Sequence, residues 1–259
     1  MYATERQHQI EELIAADGRV SVVDLADRFA VTTETVRRDL AALEVAGTVR
    51  RVHGGAVARA RVSTAEPSFA ERAGVRNPAK QAIARAAITF LGDSFTGSVY
   101  LDAGTTVAAV AQDLAGTARE SSPIEVVTHS MTTAHLLAGS GVGLTAIGGR
   151  VRGLTAAAVG AQTVEAIGRL RPDVAFIGTN GVSAAFGLST PDPDEAAVKR
   201  AIVASARRVV VLADAEKFDS ELLVSFAPLT AVDALLTDTA PAGALASALE
   251  EAGVEVHVA

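Results

Sequence analysis

The fold is decided first by residues 20–57, which read VSVVDLADRFAVTTETVRRDLAALEVAGTVRRVHGGAV. Two stretches with apolar residues at helical spacing begin here, one after Ser21 and one after Thr32, and both residue types are favoured helix caps. A further apolar stripe at residues 10–14 predicts a helix before them. Residues 48–57 then predict a strand, a glycine turn and a returning strand. Three short helices followed by a β-hairpin are typical of a winged helix-turn-helix.

Length and composition limit the class of protein. The 259 residues have room for two unequal domains, and 49% apolar against 20% charged residues supports a sizeable core rather than disorder. No apolar run approaches the roughly 18 residues of a membrane span, and the N-terminus lacks the order of a signal peptide, so we expect a cytoplasmic protein. The absence of cysteine excludes disulfides and thiolate metal sites.

The net charge of −7 argues at first against a nucleic-acid partner. Its distribution changes this interpretation. Residues 1–61 hold nine Arg and nine Asp or Glu, so the whole net charge falls on residues 62–259. From Glu34 to Arg61 there are six Arg against three acids, a modest basic patch. Charge alone does not decide the question.

The helix after Thr32 has the residues of a recognition helix, which in this motif enters the major groove. Hydroxyl and backbone N–H groups at its start suit phosphate oxygens, and Arg37 or Arg38 can offer a bidentate fork to guanine or a clamp to phosphate. Arg50 and Arg51 on the hairpin can reach a neighbouring phosphate strand or the minor groove. The candidate DNA-binding residues are Ser21, Thr32, Thr33, Thr35, Arg37, Arg38, Arg50, Arg51 and His53.

A plainer interpretation is that Arg37 and Arg38 form a solvated helix face, paired with Glu34 and Asp39, in a protein-interaction module. The threonine-rich helix start, the adjacent arginines and the hairpin occur together, and this combination favours duplex DNA as the partner.

Behind this region, short β-branched runs alternate with alanine-rich helical stretches. Such alternation predicts a mostly parallel sheet covered on both faces, with ligands at the carboxyl ends of its strands. We therefore predict an α/β protein with a winged helix-turn-helix domain at 1–58, a linker with room for a short helix at 59–78, and a larger α/β domain at 79–259. The strand candidates are Val99–Leu101, Ile124–Thr128, Leu144–Ile147, Val174–Ile177, Val209–Ala213, Ala234–Leu236 and Val254–Val258.

The segment Leu101-Asp102-Ala103-Gly104-Thr105-Thr106 follows a predicted strand and opens a helix. A helix N-terminus presents unpaired N–H groups and a positive dipole end, and glycine lets an anion approach closely. Taken alone, this segment is better explained by the needs of a strand-to-helix turn, which often requires glycine and a threonine cap.

Three more clusters follow predicted strands or open a helix. Gly148 and Gly149 precede Arg150 and Arg152, residue types that suit phosphate. Asn180 lies in a glycine-rich segment at the end of another strand. Glu195 and Lys199 have i, i+4 spacing, for which the simplest explanation is a surface ion pair.

Residues 19–57 resemble the DNA-binding signature of DeoR-type bacterial repressors, through Thr35-Val36-Arg37-Arg38-Asp39-Leu40 and Arg50-Arg51-Val52-His53-Gly54-Gly55-Ala56. Residues from about 76 to 238 resemble the sensor domain of the same family, through Lys80–Ala84, Asp102–Thr106, Asp173–Gly178 and Glu195–Arg200. The resemblance implies operator binding, and a sensor domain similar in fold to ribose-5-phosphate isomerase and glucosamine-6-phosphate deaminase.

The resemblance also implies a site. Gly104, Thr105 and Thr106 are expected to hold a phosphate, and Asp102, Asn180, Glu195 and Lys199 to lie near the sugar. Where the family commonly has a Thr-Asn pair, this chain has Thr128-His129, so that His129 either replaces the asparagine as a donor or is structural. No cofactor or metal is expected. The candidate effector-binding residues are Lys80, Asp102, Gly104, Thr105, Thr106, His129, Gly148, Gly149, Arg150, Arg152, Asn180, Glu195 and Lys199.

The sequence thus predicts a homo-oligomeric repressor, a dimer or tetramer, that a phosphorylated sugar releases from operator DNA. Residues 178–200 look most like regulators of fructose phosphotransferase operons in actinomycete-type bacteria, which implies fructose 1-phosphate. One alternative is an activator. Another is a sugar-phosphate isomerase or deaminase with an N-terminal regulatory domain, in which Asp102, Asp173 or Glu195 acts as general base.

Overall fold

The structure, a computed structural model, describes residues 3–17, 19–46, 48–52, 54–58, 63–64, 66–92, 94–116 and 124–259, with the backbone alone at 15–17, 19, 50, 57 and 58. The chain divides into two compact units, Met1–Val62 and Ser63–Ala259. The stretch 66–78, predicted as part of a linker, belongs to the second unit, where it carries a short capped helix and the start of the next one.

The first unit is a three-helix domain with a small antiparallel sheet, in which the strand order is β1-β3-β2. The predicted winged helix-turn-helix is confirmed. Strand β1 was missed because three residues are too few to show alternation. The elements are α1 (Ala3–Asp17), β1 (Arg19–Ser21), α2 (Val22–Phe29), α3 (Thr33–Val45), β2 (Val49–Val52) and β3 (Gly55–Ala58).

Caps and one tight turn set the angle between α2 and α3. Ser21 accepts a hydrogen bond from Val23 N at 3.2 Å, and Thr32 accepts one from Thr35 N at 3.2 Å. Between the helices Ala30 adopts a left-handed conformation with φ 51°. The helices pack over an apolar core formed by Ile10, Ile14, Val22, Leu25, Ala26, Phe29, Val36, Leu40, Leu43, Val49 and Ala56.

A buried ion pair joins α1 to the recognition helix α3. Arg6 donates from Nε to Asp39 Oδ2 at 2.6 Å and from Nη2 to Oδ1 at 3.2 Å, and Gln7 donates to the same carboxylate at 3.2 Å. Asp39 therefore does not belong to a solvated face with Arg37 and Arg38, as the plainer interpretation supposed. It holds α3 against the rest of the unit.

The second unit contains a seven-stranded sheet, two smaller antiparallel sheets and the helices that cover them. Its elements are α4 (Phe69–Gly74), α5 (Asn77–Leu91), β4 (Gly97–Leu101), α6 (Thr105–Gly116), β5 (Ile124–Thr128), α7 (Met131–Leu137), β6 (Gly143–Ala146), β7 (Arg150–Arg152), β8 (Ala157–Val159), α8 (Ala161–Gly168), β9 (Val174–Gly178), β10 (Gly181–Ser183), β11 (Gly187–Thr190), α9 (Pro193–Ser205), β12 (Val209–Leu212), β13 (Val224–Ala227), β14 (Ala234–Thr237), α10 (Gly243–Glu251) and β15 (Glu255–Val258).

The large sheet has the order β15-β14-β12-β9-β4-β5-β6, and every pairing in it is parallel. Its strands overlap the seven runs predicted from the sequence, which confirms the α/β class. From β4 the chain first builds toward β6 and then returns to build from β9 toward β15. The order therefore reverses between β4 and β9, where such sheets bind their ligands.

Both faces of this sheet are covered, as predicted. Val99, Leu101 and Phe176 face a core with α5 and α6, whereas Tyr100 and Ile177 face a core with α8, α9 and α10. The alternation explains why the strands are apolar at almost every position. The antiparallel pairs β7-β8 and β10-β11-β13 were not predicted.

Replacing Asp39 with alanine tests the ion pair. The substitution leaves the Arg6 guanidinium buried without its partner, so we expect the free energy of unfolding of the first unit to fall by about 2 kcal/mol. Glu12→Ala, which removes an exposed acid of α1, should cost less than about 0.5 kcal/mol. Urea unfolding followed by circular dichroism measures both. Equal effects of the two substitutions would contradict a structural role for the pair.

Candidate functional site

The exposed face of α3 presents two arginines in weak surface pairs. The Arg37 and Arg38 side chains are 60% and 82% exposed, and each lies near Glu34, at 3.7 Å and 3.6 Å. Exposed pairs at such distances contribute little free energy. Both guanidinium groups can therefore leave Glu34 for phosphate or guanine at small cost.

The predicted hydroxyl contacts are partly taken up by the fold. Thr32 caps α3, and its Oγ1 lies 2.9 Å from Thr35 Oγ1. Ser21 caps α2. The backbone amides at the start of α3 can still donate hydrogen bonds to a phosphate, although these hydroxyls are engaged within the protein. The predicted side-chain contacts from this helix to DNA therefore depend mainly on Thr33, Arg37 and Arg38.

On the wing, the hairpin formed by β2 and β3, the described positively charged side chain is that of Arg51. Arg51 donates from Nε to Glu44 Oε2 at 2.9 Å, and its backbone N–H donates to Oε1 of the same residue at 3.0 Å. The Arg50 side chain and His53 lie outside the part of the chain that is described. A DNA contact for these three residues stays a prediction.

In the second unit, a buried carboxylate lies at the point where the strand order reverses. Asp102 follows β4 and is fully buried. Its Oδ2 accepts hydrogen bonds from Gly178 N at 3.0 Å, at the end of β9, and from Lys199 Nζ on α9. Lys199 also donates to Gly178 O at 2.8 Å. Glu195 and Lys199 are thus not a surface pair, because both side chains are buried and each binds a different partner.

The other oxygen of this carboxylate, Asp102 Oδ1, is buried and has no hydrogen-bond partner among the described residues. His129 Nε2 lies 3.7 Å away, beyond hydrogen-bond distance. On its other side, the His129 ring shares a hydrogen bond with Tyr100 OH at 3.0 Å from Nδ1. Burial lowers the pKa of His129 to about 4, so the imidazole is neutral at pH 7. Asp102 Oδ1 is consequently a buried acceptor without a donor among the described residues.

The start of α6 lies directly after Asp102. Gly104 has φ +139°, and a side-chain carbon at this position would meet nothing within 4 Å. The conformation, and not crowding by the protein, therefore requires glycine here. The first N–H groups of a helix have no partner within the helix, and Thr105 and Thr106 are both half-buried. This turn has the chemistry of an anion site.

A second charged cluster lies one turn earlier on α9. Glu195 accepts hydrogen bonds from Thr155 Oγ1 and from Arg152 Nη1, the latter at 3.2 Å. Arg152 Nε is 3.2 Å from Asp192 Oδ2, and Arg152 Nη1 is 2.7 Å from Glu66 Oε2. Arg152 and Glu195 are thus brought together as predicted members of one site.

Other candidates lie elsewhere or have structural partners. Lys80 donates to the backbone oxygens of Arg72 and Val75, the latter at 2.7 Å, and so fastens the end of α4. Arg150 pairs with Asp194 at the surface. Asn180 accepts a hydrogen bond from Thr190 Oγ1 at 3.0 Å. An effector contact for Lys80, Arg150 or Asn180 stays a prediction.

The glycines after β6 have a packing explanation. A side-chain carbon on Gly149 would lie 2.0 Å from Thr163 Oγ1, which in turn donates to Gly148 O at 3.0 Å. Glycine at position 149 is therefore required by the neighbouring helix α8, whether or not a ligand binds.

One general-base candidate, Asp173, lies at the opposite end of the strands from Asp102. Asp173 directly precedes β9, and its Oδ2 accepts hydrogen bonds from Ser98 N at 2.9 Å and Ser98 Oγ at 2.8 Å, near the start of β4. It thus lies at the amino ends of the strands, opposite Asp102. Sequence reasoning also missed Tyr100, Thr155 and Glu66, whose roles depend on tertiary contacts that leave no spacing signal.

Together these features define a class. A winged helix with exposed arginines on its recognition helix is joined along the chain to a doubly wound α/β unit with a buried polar cluster at its switch point, which is the organisation of a ligand-responsive DNA-binding regulator. Within the described ranges, no group of acids and histidines could hold a metal ion, and no helix is long and apolar enough to cross a membrane.

Comparison with known sequences identifies the family. Residues 6–62 match the DeoR-like helix-turn-helix domain, and residues 76–239 match the DeoR C terminal sensor domain. The chain belongs to the DeoR family and is a sugar-responsive transcriptional repressor.

Full-length relatives show the same organisation. The chain is 35% identical to the HTH-type transcriptional regulator GlpR of Haloferax volcanii, over 99% of this chain and 98% of the relative. It is 32% identical to the uncharacterized HTH-type transcriptional regulator FruR of Bacillus subtilis, over 92% of each chain. It is 28% identical to the glycerol-3-phosphate regulon repressor of Escherichia coli, over the full length of both.

Among solved structures, similarity is limited to part of the chain. Ribose 5-phosphate isomerase A from Methanocaldococcus jannaschii has a TM-score of 0.40 and 18% identity, over 54% of this chain and 53% of that chain.

The buried histidine makes the stability of the second unit depend on pH. The unfolded chain takes up a proton on His129 near pH 6.5, whereas the folded chain does so only near pH 4. Between these values the unfolded state binds more protons, so stability falls as the pH drops through this window, by up to about 3 kcal/mol.

His129→Asn should remove this contribution. We expect the difference in unfolding free energy between pH 7 and pH 4 to be smaller in the variant than in the wild type, as measured by urea unfolding at each pH. Because other groups titrate in both proteins, the comparison isolates residue 129. The same pH dependence in the two proteins would contradict a neutral, buried His129.

Proposed function

We propose that this protein represses a sugar-catabolic operon by binding duplex operator DNA through α3 and the wing, and that a phosphorylated sugar, most specifically fructose 1-phosphate, releases it. The observation that carries this proposal is the buried, unpartnered Asp102 Oδ1 beside the open N-terminus of α6. An anion site and a hydroxyl acceptor adjacent to each other suit a sugar phosphate.

In this proposal the phosphate occupies the turn Gly104-Thr105-Thr106. The amides and dipole of a helix N-terminus attract an anion, and the two threonines add hydroxyl donors. The sugar hydroxyls donate to the Asp102 carboxylate, which Lys199 holds in position through a hydrogen bond from its ammonium group. The neutral imidazole of His129 lies beside the same carboxylate.

The far end of the ligand points along α9. Residues four apart on a helix have their β-carbons about 6 Å apart, so the Glu195 cluster lies within one sugar length of Lys199. Glu195 and Arg152 then bind the hydroxyls farthest from the phosphate. This arrangement favours a ligand longer than a three-carbon phosphate.

The choice of sugar rests on the resemblance of residues 178–200 to regulators of fructose phosphotransferase operons. One relative is named after a glycerol-3-phosphate regulon, so glycerol 3-phosphate is the natural competitor to test. Isothermal titration of the chain with fructose 1-phosphate, fructose 6-phosphate, glycerol 3-phosphate and free fructose ranks the ligands. If another of these compounds binds most tightly, that compound and not fructose 1-phosphate is the effector.

Release requires a difference in affinity between two states of the protein. An effector shifts the equilibrium only if it binds the DNA-incompetent state more tightly. We propose a homo-oligomer, a dimer or tetramer acting in the cytoplasm, that presents two winged helices to two half-sites. Light scattering of the chain alone and with operator DNA tests the oligomer.

Enzymatic turnover is the second candidate, because Asp102 is a buried carboxylate beside Lys199 and His129. A direct assay of isomerase and deaminase activity on ribose, fructose and glucosamine phosphates decides between the two. We expect no turnover, since the known full-length relatives are named as regulators.

Substitutions on α3 test the DNA interface. Arg37→Ala and Arg38→Ala should each weaken operator binding about five- to 150-fold, because each removes a phosphate or guanine contact worth about 1 to 3 kcal/mol. Sugar phosphate binding should not change. Arg169→Ala, which removes the same charge from an exposed pair in the second unit, is the control. Electrophoretic shift assays give the affinities, and normal operator binding by both α3 variants would remove this interface.

Substitutions at α6 test the phosphate site. Thr105→Ala combined with Thr106→Ala should weaken fructose 1-phosphate at least about tenfold, because two hydroxyl donors to a charged group are lost. Operator binding without sugar should remain. Titration calorimetry and shift assays measure the two properties, and unchanged sugar affinity would place the phosphate elsewhere.

A further inference from the structure

The chain leaves the first unit through a connecting segment, residues 63–64 and 66–76, that is bound to the second unit. Leu223 N donates to Ser63 O at 3.0 Å, and Phe69 N donates to Leu154 O at 2.9 Å. At its far end Lys80 donates to Val75 O at 2.7 Å. Any movement of this segment changes where the DNA-binding unit is attached.

One side chain of the connecting segment reaches the effector-site cluster. Arg152 Nη1 lies 2.7 Å from Glu66 Oε2, and the Glu66 side chain is only 2% exposed. Arg152 is the nearest cation to this carboxylate among the described residues, and the two charged groups are in direct contact.

Arg152 is shared by three carboxylates, from Glu66, Asp192 and Glu195, all within 3.2 Å. The next cation, Arg72 Nη2, is 4.0 Å from Glu66 Oε1. Burial, and after it the charge of Glu195, raises the pKa of Glu66. The cluster has more anionic partners than Arg152 can satisfy. Asp192 also accepts a hydrogen bond from Glu195 N, and Glu195 one from Thr155 Oγ1. A ligand that engages Arg152 therefore competes most directly with Glu66, which depends most on this arginine.

We propose that Glu66 is the positioning residue that couples the effector pocket to the DNA-binding unit. This inference rests on the proposed function, since it takes the ligand to be a phosphorylated sugar lying along α9. When that ligand engages Arg152, Glu66 loses its counterion, and the connecting segment leaves its place on the second unit. Glu66 thus contributes to the response without being a member of the phosphate site.

Glu66→Gln tests the inference, because it keeps the shape and removes the charge. The sugar no longer has to displace a carboxylate, so we expect fructose 1-phosphate to bind about three- to tenfold more tightly. The factor by which the sugar weakens operator binding should fall from a typical 5- to 150-fold to less than about threefold. A merely structural defect would weaken sugar binding instead.

Asp194→Asn is the matched control. Asp194 lies in the first turn of α9, directly before Glu195, and pairs with the exposed Arg150. Its replacement removes one negative charge, as Glu66→Gln does, and leaves the connecting segment unchanged. Any general effect of charge on an anionic ligand appears in both variants. Loss of the operator response should appear only in Glu66→Gln.

Hydrogen exchange of the full chain follows the segment itself. Fructose 1-phosphate should speed exchange at residues 66–76 in the wild type, and Glu66→Gln should show the fast exchange without sugar. If Glu66→Gln does not fold, Glu66→Asp withdraws the carboxylate by one methylene and should lose the same operator response.

The outcomes separate the two proposals. If the wild type binds none of the tested sugar phosphates, the proposed function fails, and this inference with it. If the wild type binds fructose 1-phosphate and Glu66→Gln retains the full operator response, only the role of Glu66 is overturned. Equal loss of response in Asp194→Asn overturns it as well.

Discussion

The sensor unit depends on one buried ion pair, the Lys199 ammonium against the Asp102 carboxylate. Lys199 also donates to Gly178 O, so a single ammonium joins the end of β4, the end of β9 and α9. Burying two charges costs several kcal/mol each unless they are paired and hydrogen bonded. The Lys199 pair sets the position of α9, and Glu195 lies one turn earlier on this helix. The pair therefore also sets where Glu195 binds Arg152, and where Arg152 in turn contacts Glu66. The two polar clusters are therefore positioned by this ion pair.

The two units use charge in opposite ways. On α3, Arg37 and Arg38 are exposed and weakly paired, which leaves them available to phosphate, whereas Asp39 on the same helix is buried and holds α3 in place. In the second unit many polar groups are buried and hydrogen bonded, and Asp102 Oδ1, Arg72 Nε and Thr133 Oγ1 are among the buried atoms without a hydrogen-bond partner in the described residues. Asp102 Oδ1 is the one on which the ligand proposal depends.

Much of the fold could be predicted because buried parallel strands are apolar at nearly every position, and the seven runs overlap the seven strands of the sheet. Strands of three or four residues, such as β1 and β7, carry too little pattern to predict. The site was harder. Asp173 was misassigned because residues preceding a strand lie at its amino end, away from Asp102. Gly149 was read as a ligand contact although Thr163 already requires it, and Glu66 left no signal because only tertiary packing brings it to Arg152.

The central claim is that a sugar phosphate held by the second unit controls DNA binding by the first. Thermodynamic linkage tests it most directly, since two ligands that bind different states must weaken each other by the same factor. Calorimetric titration of fructose 1-phosphate into the full chain should show weaker binding when the operator duplex is present, by the factor that the sugar imposes on operator affinity. An identical sugar affinity with and without operator DNA would contradict the account.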